Sequence, residues 1–314
     1  MPEFVLDHTR QWLDHFSRQG YRPTPLAAGS EGAVYDLGDG LVSKVWRERR
    51  LGELERMQGF YVDVAAAQLP FATPEILSIE QVDGTSVTYE RKLPGKPLQN
   101  RLGRADREIG PIAVKCVVEV LRALADVPAT AGMRDLPVLD ENQSLWTRAG
   151  TFPVALAGLI ERRARRFGPV IREQLPDFDQ RCEALLAKIS SAGSRPDTVI
   201  HGDLFGENIL IDERDRPAAV LDFGFLTTAG DPRFDVAITA SIMNMYGPHA
   251  LSITRDLTSR LARDLEYSYE TLLIYQAAYA AVTSNAFTLD GSDGHFSWCI
   301  TQLRRPEISE VLGL

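Results

Sequence analysis

Apolar and polar positions divide the chain into a strand-rich first part and a helix-rich remainder. Residues 3–19 carry apolar side chains at roughly helical spacing, and residues 48–67 favour a second helix. Around them, Asp39-Gly40 and Asp83-Gly84 each separate two apolar runs, which predicts two β-hairpins. Beyond residue 98 the pattern is helical, and helices are predicted at residues 105–126, 152–167, 178–190, 233–245, 251–264 and 267–285.

A segment rich in proline and glycine separates these two parts. Residues 94–98 contain two prolines and one glycine, which stop regular structure and fix the direction of the chain. We therefore expect an N-terminal lobe at 1–93, a linker at 94–98 and a C-terminal lobe at 99–314. The predicted fold class is α+β, with a small antiparallel-sheet lobe and a larger, mainly helical lobe. Within the helical lobe, short apolar runs predict strands at residues 198–200, 208–211 and 219–221.

Composition and charge exclude several classes of protein. The chain has 314 residues and a formal net charge of −9, which argues against nucleic acid or an anionic membrane as the main partner and allows a cationic ligand. Cys116, Cys182 and Cys299 are too scattered for a disulfide framework or a zinc site. We find no signal peptide and no apolar stretch of about 20 residues, so we expect a cytoplasmic protein, either a monomer or a homodimer.

The residues best suited to catalysis lie in two short loops that follow apolar runs. Asp203 is followed five residues later by Asn208, and Asp222 follows after fourteen more. A carboxylate can orient a hydroxyl and accept its proton, so Asp203 is the predicted catalytic base. Asn208 and Asp222 offer the oxygen ligands that Mg²⁺ prefers, so both are predicted metal ligands. An isolated Asp in such a loop would be interpreted as a turn residue; the spacing of the three favours phosphoryl transfer.

Lys44 is the predicted ligand of the nucleotide phosphates. Strand alternation over residues 41–46 places it on the same face as Val42 and Trp46, from which an ammonium could reach phosphate oxygens. The following helix offers three glutamates as partners for Lys44; Glu55 is preferred, and Glu53 remains open. The third is Glu48.

A short glycine-containing loop precedes the Lys44 strand. Gly29, Ser30 and Gly32 could let backbone N–H groups approach phosphate oxygens, because glycine has no Cβ. The loop lacks both the P-loop pattern and the dinucleotide-binding pattern. Its predicted role as a phosphate cover depends on its position ahead of Lys44.

Together these residues resemble the aminoglycoside phosphotransferase and choline kinase-like family, small-molecule kinases with the protein-kinase fold. The match is strongest in HGDLFGENIL followed by LDFG. The resemblance implies a bilobal fold, ATP or GTP as phosphoryl donor and Mg²⁺ as cofactor. It assigns Asp203 as base, Asn208 and Asp222 as metal ligands, and Lys44 as phosphate ligand. The segment GDPRFDVA resembles a family segment in which Asp235 would brace the catalytic loop.

Two further features of the resemblance concern nucleotide binding and regulation. The strand that contains Glu90 and Lys92 resembles the hinge against which adenine lies. Gly202 stands where protein kinases usually have an arginine that senses phosphate, and Gly230 follows Gly224 within six residues, which leaves no long activation loop. Both departures favour a constitutively assembled small-molecule kinase.

The acceptor remains open at this point. A small hydroxylated molecule is expected, and the candidates are an aminoglycoside, another antibiotic, a sugar, an amino sugar, or a metabolite such as choline or homoserine. Carboxylates and aromatic residues of the C-terminal helices could bind a cation, or they could be solvated faces and core. Other interpretations are a non-catalytic nucleotide-binding regulator and a metal-dependent phosphoesterase, the second of which lacks a convincing histidine motif.

Overall fold

The computed structural model describes residues 3–29, 31–102, 108–193 and 195–314, and the side chains from residue 9 onwards. Two compact units are present. One comprises residues 1–95 together with Ala218–Val220, and the other comprises Lys96–Pro217 and Leu221–Leu314.

The first unit is built on a five-stranded antiparallel sheet in the order β1-β2-β3-β5-β4. Asp39 and Gly40 both have positive φ at the β2–β3 turn, as do Asp83 and Gly84 at the β4–β5 turn, so both predicted hairpins are present. The strands are β1 Thr24–Ala28, β2 Gly32–Gly38, β3 Leu41–Trp46, β4 Ile76–Val82 and β5 Thr85–Arg91, and the helices are α1 Glu3–Arg18 and α2 Leu51–Ala66.

One face of this sheet forms the core of the unit with α1. Trp12 and Phe16 of α1 pack with Tyr35, Val45 and Tyr89, all of which are buried. Val45 belongs to the face of β3 opposite Lys44, as strand alternation predicted. Apolar burial on one face therefore leaves the Lys44 face of β3 available for polar contacts.

The second unit is mainly helical. Its helices are α3 Pro111–Ala125, α4 Ala131–Arg134, α5 Phe152–Gln174, α6 Phe178–Ser191, α7 Pro232–Ile242, α8 Ala250–Asp264, α9 Tyr269–Thr283, α10 Gly294–Leu303 and α11 Pro306–Leu312. Its short strands are β6 Lys96–Pro97, β7 Thr198–Ile200, β8 Ile209–Ile211 and β10 Thr228–Gly230, while β9 Pro217–Val220 carries the three residues of the first unit. β6 pairs with β8, and β7 with β10, both antiparallel.

Several boundaries differ from the sequence prediction. The helix predicted at 105–126 begins at Pro111, which suits the first helical turn because proline has no N–H to donate; residues 105–107 lie outside the described part of the chain. α5 continues through Pro169 to Gln174 rather than ending at 167. The sequence did not predict α4, α10, α11 or β10. No helix of the described residues is long and apolar enough to cross a membrane.

Candidate active site

The loop that contains Asp203 is fixed from behind by Asp235 of α7. One carboxylate oxygen of Asp235 accepts the N–H of His201 and the other accepts the N–H of Gly202, each at 3.0 Å. Asp235 is buried, and burial raises its pKa to about 6 although both N–H donors act in the opposite direction. The predicted bracing role of Asp235 therefore has a physical basis in two hydrogen bonds to the loop backbone.

His201 holds the two loops together as a neutral ring. Its Nδ1 accepts the N–H of Asp203 at 3.2 Å, so its Nε2 carries the proton and donates to the carbonyl of Leu221 at 2.8 Å. The ring also stacks on Phe223, with centroids 4.5 Å apart. Complete burial lowers the pKa of His201 to about 4, so the ring stays neutral near pH 7. This geometry supports an organising role for His201.

Hydrogen bonds to the loop backbone position Asn208 and the residue before Asp222. The side-chain Nδ2 of Asn208 donates to the carbonyl of Asp203 within the same loop at 2.9 Å, and the N–H of Leu221 donates to the carbonyl of Asn208 across the two loops at 2.8 Å. Asp222 follows directly, with a φ of +39° and an exposed side chain. The structure thus brings the predicted base and both predicted metal ligands into one loop pair.

Two glycines allow this close arrangement. A Cβ on Gly224 would lie 2.2 Å from the Cβ of Asp203, and a Cβ on Gly202 would lie 2.4 Å from the carbonyl carbon of Leu226. Gly202 also has a φ of +80°, which side chains disfavour. Gly202 is therefore required by the local backbone, which explains the absence of an arginine at this position.

The donor set of the loop pair suits a hard divalent cation. With its nitrogen bound to the carbonyl of Asp203, Asn208 has its oxygen left as the ligand atom, and Asp222 supplies a carboxylate. Among the described residues no group of three or more His, Cys, Asp or Glu side chains could hold a metal ion. Oxygens of a bound phosphate would complete the coordination of a cation at Asn208 and Asp222.

In the first unit, Lys44 forms an ion pair that the sequence analysis missed. Its Nζ lies 3.2 Å from Oε2 of Glu31 and 4.0 Å from the centre of the Trp46 ring. The other oxygen of Glu31 lies 2.9 Å from Arg49. Burial raises the pKa of Glu31, but the cations of Lys44 and Arg49 outweigh it and hold this pKa below its usual value.

Glu31 was not among the partners that the sequence offered for Lys44. Glu55, the preferred partner, is exposed on α2, and its pairing with Lys44 stays a prediction. Glu31 is brought near Lys44 by the hairpin register, which pairs Gly32 with Trp46 and lets Arg47 donate its N–H to the carbonyl of Glu31. The Asp39-Gly40 turn fixes that register, so the sequence did contain a signal for Glu31.

The glycine loop is only partly covered by the structure. Ser30 lies outside the described residues, and the N–H of Gly29 donates to the carbonyl of Gly32 at 2.9 Å. A Cβ on Gly32 would lie 1.9 Å from the carbonyl oxygen of Val45, so pairing of β2 with β3 already demands glycine here. The backbone therefore requires glycine at position 32 whether or not a ligand binds to this loop.

Glu90 and Lys92, predicted at the nucleotide hinge, have different surroundings. Glu90 lies on the Lys44 face of the sheet, where the hydroxyl of Thr88 donates to it at 2.5 Å and Trp46 donates to that hydroxyl at 3.0 Å. Lys92 is an exposed residue paired with Asp36. The structure therefore groups Glu90 with Lys44 and Trp46, and it places Lys92 in a surface ion pair.

Comparison with known proteins identifies the family. The model of the phosphotransferase enzyme family matches residues 22–279. A macrolide 2′-phosphotransferase from Brachybacterium faecium has a similar structure, with a TM-score of 0.60 and 19% identity over 94% of this chain and 98% of that one. An aminoglycoside phosphotransferase in complex with GDP and kanamycin gives 0.61 and 16% identity over 98% and 97%.

A third similar structure is an aminoglycoside phosphotransferase from Streptomyces rimosus in complex with ADP and streptomycin, with a TM-score of 0.55 and 16% identity over 87% of this chain and 98% of that one. These likenesses confirm the predicted fold class. A search of curated protein sequences gave no match. Because the family model spans most of the chain and the predicted catalytic motifs lie within it, the chain belongs to the phosphotransferase enzyme family.

Proposed function

We propose that the protein transfers the γ-phosphoryl group of a nucleoside triphosphate to a hydroxyl of a small molecule, with Mg²⁺ as cofactor. ATP is the proposed donor, with GTP as the alternative. The observation that carries this proposal is the loop pair, in which Asp203 abuts Gly224, the Asn208 side chain donates to the carbonyl of Asp203, and Leu221 next to Asp222 donates to the carbonyl of Asn208. The family of the chain supports the same reaction class.

Asp203 would orient the acceptor hydroxyl and receive its proton. A base of this kind needs a fixed position more than a shifted pKa, since phosphoryl transfer depends mainly on alignment and charge stabilisation. The bracing by Asp235 and His201 supplies that position through the backbone on both sides of Asp203. The carboxylate can then act without rearrangement of its loop.

Asn208 and Asp222 would hold Mg²⁺, which bridges nucleotide phosphates and neutralises the charge that develops during transfer. Their oxygens are the hard ligands this cation prefers. The main-chain bond between Leu221 and Asn208 joins the two loops that carry these ligands, and the bond from Nδ2 of Asn208 to the carbonyl of Asp203 orients the Asn208 side chain.

Lys44 would neutralise nucleotide phosphates, with Glu90 on the same face of β3 and β5. In the structure Lys44 is paired with Glu31, so a phosphate would compete with that carboxylate for the ammonium group. The same competition would involve Arg49, the second cation at Glu31. We expect the nucleotide to replace Glu31 as the principal anion beside Lys44.

The proposal can be tested with an Asp203→Asn substitution. We expect Mg²⁺-dependent nucleotide turnover to fall by about a thousandfold or more while nucleotide binding is retained. The matched control is Asp179→Asn. Asp179 is an exposed residue of α6 that pairs with Arg172 of α5, so its substitution should leave turnover unchanged. Retained turnover in Asp203→Asn would contradict the assignment of the base. Nucleotide binding without turnover in the wild type would favour a non-catalytic regulator.

A further inference from the structure

The second unit contains an aromatic cluster that begins directly after Gly224, the glycine in contact with Asp203. We define it as Phe225, Tyr246, Tyr279, Phe287 and His295. The ring centroids of Phe225 and Phe287 lie 5.9 Å apart, those of Phe287 and His295 lie 5.1 Å apart, and those of His295 and Tyr279 lie 6.1 Å apart. Contiguous aromatic surface of this kind is uncommon outside a core or a binding site.

The aromatic cluster begins at the loop that touches the predicted base. Phe225 directly follows Gly224, whose α-carbon abuts Asp203. At the other end, burial raises the pKa of Tyr279 well above its usual value, and the charges of Cys299 and Asp203 act in the same direction.

Part of the cluster is open to solvent. Phe287 is 55% exposed and Tyr246 is 65% exposed, and Leu289 on the same connection as Phe287 is 64% exposed. Tyr246 lies beside Gly294, since a Cβ there would be 3.5 Å from its ring. Exposed aromatic area next to a catalytic carboxylate can stack on an apolar ligand face.

A buried polar atom lies at the base of the cluster. His295 is 2% exposed, and its Nε2 lies 3.1 Å from the hydroxyl of Thr283. Its Nδ1 is also buried, yet it has no hydrogen-bond partner among the described residues. A buried nitrogen without a partner is unfavourable, so a ligand hydroxyl that paired with it would stabilise the site.

The carboxylates of this region are poorly placed to bind a polycation. Asp256 and Asp264 are paired with arginines, and Asp293 next to the cluster uses both oxygens, one for the N–H of Phe296 and one for the hydroxyl of Thr288. Asp290 accepts the N–H of Ser292. Glu270 lies near the start of α9, about 13 Å along the helix axis from Tyr279.

We propose that the aromatic cluster is the acceptor site and that the acceptor is an uncharged hydroxylated molecule with an apolar face, such as a glycoside with a hydrophobic aglycone. This inference rests on the proposed phosphoryl transfer to a hydroxyl. The apolar face stacks on Phe287 and Tyr246, a hydroxyl binds near His295, and the reacting hydroxyl faces Asp203. Among the acceptors open from the sequence, this favours an uncharged sugar derivative over an aminoglycoside or choline.

Equilibrium binding measured by titration calorimetry tests the inference. The ligands are 4-nitrophenyl β-glucoside, methyl β-glucoside, kanamycin and choline. We expect the aryl glucoside to bind at least about tenfold more tightly than each of the other three, because one stacked aromatic contact accounts for roughly that factor. Phe287→Ala should remove about tenfold of the affinity for the aryl glucoside and leave that for the methyl glucoside unchanged.

Two further variants complete the test. Tyr246→Ala, at a second exposed member of the cluster, should give a similar loss, whereas Val154→Ala, at an exposed apolar residue of α5, should give none. Tighter binding of kanamycin or choline, absence of any binding, or a preference unaffected by Phe287→Ala would overturn the inference. Nucleotide turnover and its loss in Asp203→Asn, measured on the same preparations, report separately on the proposed function.

Discussion

Gly224 and Asp203 are in direct contact, at a distance that only glycine allows: a Cβ on Gly224 would lie 2.2 Å from the Cβ of Asp203. The contact joins the loop that carries the predicted base to the loop that carries Asp222. A side chain at position 224 would therefore change the separation between these two carboxylates.

The Gly224→Ala substitution should reduce kcat by about a hundredfold, because a displacement of about 1 Å at a reacting group costs that much. The KM for the nucleotide should change much less. Steady-state kinetics check this, with Gly150→Ala as the control, since a Cβ on Gly150 would meet nothing within 4 Å. A Gly224→Ala variant with wild-type kcat would show that the approach of the two loops is not needed for turnover.

Gly202→Ala should lower the free energy of unfolding by about 3 kcal/mol or more, since the new Cβ meets the backbone of Leu226 and the residue has positive φ. Gly193→Ala is the matched control, because Gly193 has a φ of +66° but open space around it. Denaturant unfolding of both variants separates the cost of the clash from the cost of the backbone conformation. Equal losses would indicate that the clash is relieved by local movement.

The raised pKa of Asp235 makes its contribution to the free energy of unfolding decrease as the pH rises. Its pKa is raised from 3.8 to about 6 in the folded protein, so between these values the folded state binds more protons than the unfolded state. Stability contributed by Asp235 is then fully present below pH 4 and lost as the pH rises to about 6, a change of about 3 kcal/mol. The difference in unfolding free energy between wild type and Asp235→Asn should fall by that amount across this range.

The difference in unfolding free energy between wild type and Asp235→Asn is the quantity to measure, because the contribution of His201 to stability changes with pH in the opposite direction. Its pKa is lowered to about 4, so its contribution grows as the pH rises from 4 to 6.5 and partly cancels that of Asp235 in the wild type alone. A difference that rises with pH would contradict the raised pKa of Asp235. In that case the protein would stabilise the ionised form of Asp235 more strongly than the two N–H donors alone would be expected to do.

Glu31→Gln should strengthen nucleotide binding about two- to fivefold, because it removes the anion that competes with phosphate for Lys44 and Arg49. The effect is expected to be modest, since Glu31 is 42% exposed and its ion pairs are screened by water. Fluorescence titration with a nucleotide measures it. Glu75→Gln, which removes an exposed partner of Arg91, should change nothing. Weaker binding by Glu31→Gln would show that Glu31 positions Lys44 rather than competes for it.

Features fixed by local sequence were predictable. The two Asp-Gly turns define the hairpins because both residues must adopt positive φ, and the spacing of Asp203, Asn208 and Asp222 identified the loop pair that the structure assembles. The family match confirms the phosphotransferase prediction. In these cases the chemistry of one short segment decides the outcome.

Features fixed by tertiary packing were not predictable in the same way. α5 runs through Pro169, and strand register brings Glu31, which the sequence analysis did not consider, within 3.2 Å of Lys44. Among the C-terminal aromatic residues, Tyr279 is buried and Phe287 is exposed, and apolar composition alone does not distinguish these two environments.

Hydrogen bonds to neighbouring segments hold residues 225–228, which follow Gly224, in place. Leu139 donates its N–H to the carbonyl of Phe225, and the hydroxyl of Thr227 bonds to the carbonyl of His201. Thr227 and Thr228 are 6% and 1% exposed, so a modifying enzyme would have to unfold β10 to reach their hydroxyls. A segment that stays folded in this way offers neither threonine to a modifying enzyme, unlike an activation loop that is exposed for phosphorylation.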